Sequence, residues 1–63
     1  QNAIYEELNK FYRVMASCTA APEELLAQSQ ALIVLVDAME DPAKWDILKA
    51  LHQTRQIIRS RQG

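Results

Sequence analysis

The sequence predicts an all-α fold: a small three-helix unit, a helical hairpin plus an N-terminal helix, completed into a bundle by oligomerisation or partner docking. Three observations carry that expectation. Apolar residues recur at alternating spacings of four and three, and no useful window alternates with period two. The chain's one glycine is its last residue, and its two prolines, Pro22 and Pro42, each suit the first turn of a helix. With 63 residues, the chain buries only about 60% of the surface its unfolded form exposes, so a thin core calls for a staple.

The punctuation divides a single module, 1–63, into helices at roughly 2–18, 22–40 and 42–61. In the first, Ile4, Leu8, Phe11, Met15 and Cys18 form a bundle seam. Tyr5 and Tyr12 flank it, and Glu6 and Lys10 stand at the favourable i,i+4 spacing. Thr19 or the alanines after it lead into Pro22. Glu23 and Glu24 then complement the positive end of the helix dipole.

The second helix is apolar over more than half its circumference. Leu25, Ser29, Leu32, Val36 and Met39 set the stripe, and Ala27, Ala31, Val34, Leu35 and Ala38 widen it. Leu26 and Ile33, seven apart, fall instead in the arc that also carries Gln30 and Asp37. A helix apolar this far round is buried on more than one face. Leu26, Ile33, Val34 and Leu35 are therefore the expected partner-binding residues, with the Leu26/Ile33 ridge as a second seam.

Asp41 before Pro42 reads as the N-cap of the third helix. Trp45, Leu48, Leu51 and Ile58 supply its seam, with Ile47 beside them. After Asp46 this helix holds no acid, and Lys49, Arg55, Arg59 and Arg61 form a possible basic patch. Arg55 and Arg59 share a face able to meet phosphates. The bland reading is that these charges complement the negative end of the helix dipole and aid solvation. Four cations without an interleaved aromatic platform, and without a polar recognition helix, make nucleic acid the lesser reading.

Other chemistries find little support. Cys18 and His52 are the only thiol and imidazole, too few for a zinc site and without an orienting third group for catalysis. Cys18 reads as a small hydrophobe near a helix end, and His52 as a half-exposed residue beside the seam. The carboxylates read as capping or solvated, without the Glu-x-x-His spacing of bundle di-metal sites. No glycine-rich loop is present to cradle phosphate. The expectation is no catalytic residue, no metal and no cofactor.

A lone cysteine suits a reducing, cytoplasmic setting, and it cannot pair within the chain. The 7 basic and 8 acidic residues nearly cancel, so no global field steers the chain to nucleic acid or acidic lipid. The longest apolar run, 31–36, is far short of the ~20 residues of a membrane span. The start carries no signal-peptide pattern, and an opening Gln1 is what a fragment or processed product would show. Short antiparallel helices broken at proline are shared by small adaptors, secretion co-chaperones and regulator dimerisation domains, without a residue string diagnostic of any. The expected partner is a second copy of the chain or a helical protein. The alternative is a nucleic-acid-binding regulator using the basic last helix.

Overall fold

A computed structural model describes residues 3–62, which form three helices with no strand among them. Helix α1 runs Ala3–Ser17, α2 Pro22–Asp37 and α3 Lys44–Gln62. The middle helix is the hub. Both neighbours pack along α2, whereas the α1 and α3 backbones do not closely approach each other. One core joins all three through Leu8, Phe11, Leu25, Leu32, Val36, Leu51 and Ile58.

Each boundary has a local cause. Helix α1 stops one residue short of expectation because Cys18 turns into the left-handed region at φ 58°. Its N–H still reaches back to the Met15 carbonyl, 3.3 Å away. That conformation ordinarily falls to glycine, and none is available there. The turn carries the thiol into solvent, so Cys18 leaves the seam and is no core hydrophobe. Helix α2 begins at Pro22 behind an extended Ala21 that offers no capping side chain.

The far end of α2 falls three residues short of the expected Glu40. The N–H groups of Ala38 and Met39 bond to Leu35 and Val36, tightening the chain to i→i−3. The Lys44 ammonium then caps the Asp37 carbonyl at 3.0 Å. Asp41 does cap, although not at the first residue of α3. Its Oδ1 accepts the Ala43 N–H at 2.9 Å, and one tight turn through Pro42 precedes the helix proper.

The seam of α3 departs from expectation at its first turn and at Thr54. The buried positions are Leu51, Thr54 and Ile58, with Ile47 and Leu48 half-buried. Trp45, expected on the seam, is 64% exposed and lies beside its neighbour, the Lys44 ammonium being 4.9 Å from the ring centroid. Thr54 tolerates burial because its hydroxyl donates to the Ala50 carbonyl and stands 3.3 Å from the Tyr12 hydroxyl. On α1, Lys10 pairs at 3.9 Å with Glu7 rather than Glu6. Both partners are well exposed, so that contact adds little stability.

Candidate docking surface

The four-three stripe of α2 is indeed its inward face: Leu25, Ser29, Leu32 and Val36 are all buried. The two apolar flanks meet different fates. Leu26 and Ile33 are half-buried and pack against the core. The ridge expected to form a second seam is thus largely covered from within the chain. The opposite flank is bare. Val34 is 61% and Leu35 45% exposed, and Ala27, Ala31 and Ala38 beside them are exposed as well.

Arg55 explains how the first flank is closed. Its Nη1 donates to the Leu26 carbonyl at 2.8 Å and to Ser29 Oγ at 2.7 Å. Ser29 Oγ in turn donates to the same carbonyl at 2.8 Å, and the serine is fully buried. A long side chain with a polar head is well suited to this seam, because one guanidinium meets the Leu26 carbonyl and the serine together. A buried hydroxyl without a partner would cost about 1–3 kcal/mol. No buried side-chain nitrogen or oxygen among the described residues lacks one.

Between α1 and α2, no comparable side chain closes the gap. A groove of about 250 Å³ remains, floored by Phe11 and Leu32 and walled by Val14, Ala31 and Leu35. Glu7 and Lys10 stand along its α1 rim, and Gln28 on the α2 side. The exposed flank of α2 continues the groove's wall outward. Narrowness is the cause: the Cα envelope measures 35 × 20 × 15 Å, too slim to surround a central helix.

The basic patch is not brought together as a unit. Lys49, Arg59 and Arg61 are exposed, whereas Arg55 is engaged between α2 and α3. Cys18 lies at the corner after α1 and His52 on the solvent side of α3, both exposed. No group of three or more metal-ligating side chains occurs among the described residues. None of the helices is long and apolar enough to cross a membrane, within the same residues.

Sequence reasoning placed Ser29 on the stripe without its partner, and missed Arg55 and Thr54 as seam residues. A signal was present: Ser29 sits on the apolar stripe, and a serine there needs a donor or acceptor from a neighbouring helix. Compared with known protein families, with curated proteins and with solved structures, the chain matches none.

Proposed function

We propose that this chain is a non-enzymatic protein–protein interaction module that acts by helix packing, with the α1/α2 groove and the bare flank of α2 as its docking face. The observation that carries this reading is the joint exposure of Val34 and Leu35 beside an apolar groove. Burying a leucine- or valine-sized side chain fully is worth roughly 1.5–3 kcal/mol. A thin core gains most from such a contact. An oligomerisation unit, an adaptor or a co-chaperone would all use the face in this way. A setting in the cytoplasm suits the free thiol.

The inward commitment of Arg55 favours this reading over nucleic-acid binding. It leaves Lys49, Arg59 and Arg61 as the only exposed cations of the patch. Three charges would give a weak and strongly salt-dependent grip on phosphates.

A photo-crosslinking side chain placed at Leu35, and in a control at the exposed Arg13, tests the proposal. The full chain is irradiated alone at micromolar concentration and again in cell extract. Adducts from position 35 and not from position 13 are expected. Alone, a band near 14 kDa, twice the 7.2 kDa chain, identifies a second copy. Position 35 giving no more adduct than position 13 in either setting overturns the reading.

A further inference from the structure

We draw no further inference here: the strongest candidate, the apolar groove between α1 and α2 together with the exposed Val34 and Leu35 on the outer flank of α2, belongs to the docking face already described, and nothing in the structure shows what covers it.

Discussion

Between α2 and α3, Val36, Leu51 and Ile58 are fully buried, and a guanidinium reaches across to close the outer edge. Between α1 and α2, the seam is made by Leu8, Phe11, Leu25 and Leu32, and beyond them lies an open groove. Both seams use the same four-three spacing. The difference lies in what flanks them. The α3 side supplies a long side chain that reaches across to α2 and satisfies a buried serine. The α1 side offers Glu7 and Lys10, which stand at the rim and pair only with each other. A helix pair sealed by an amphipathic arm behaves as core, and one with a rim of short-range surface charge stays available for a further helix.

The sharpest way to break this comparison is to place the same charge on each flank of α2. Ile33→Asp, on the closed flank, should cost about 2–3 kcal/mol, because packed apolar surface is lost and a carboxylate is desolvated. Val34→Asp, one residue on and 61% exposed, should change the stability of the isolated unit by less than about 0.5 kcal/mol. Urea unfolding followed by circular dichroism at low chain concentration separates them. Equal losses would erase the distinction between the flanks.

The arginines sharpen it further. Arg55→Ala should destabilise by about 1.5 kcal/mol, leaving Ser29 and the Leu26 carbonyl short of a donor. Arg59→Ala, one turn on and exposed, should stay within about 0.5 kcal/mol in the same assay. Similar midpoints for the two variants would return Arg55 to the solvent-facing patch.

The smallest expected effect lies at the corner that leads from α1 into the groove-bearing hairpin. Cys18→Gly should stabilise by about 0.5 kcal/mol, since glycine relieves the left-handed backbone while adding freedom to the unfolded chain. A rise of a few degrees in melting temperature is the readout. A fall would mean that the thiol contributes more at this corner than its exposure implies.

The three helices, their order and the inward stripe of α2 were legible because they follow from local rules. Pro22 fixes a helix start, four-three spacing fixes a face, and period-two runs that would call for a strand are missing from the sequence. The ends of the helices were less legible. The left-handed turn at Cys18 and the tight turn from Asp41 through Ala43 depend on bonds that only the folded corners form. The docking face was legible as a surplus but not as a place. Periodicity shows that α2 is apolar on both flanks, which made Leu26, Ile33, Val34 and Leu35 equal candidates. Which flank is covered depends on where α3 lies and on the reach of Arg55, twenty-nine residues away in sequence. Helical spacing acts over one or two turns, whereas the closing of a seam is decided by side chains brought together from distant parts of the chain.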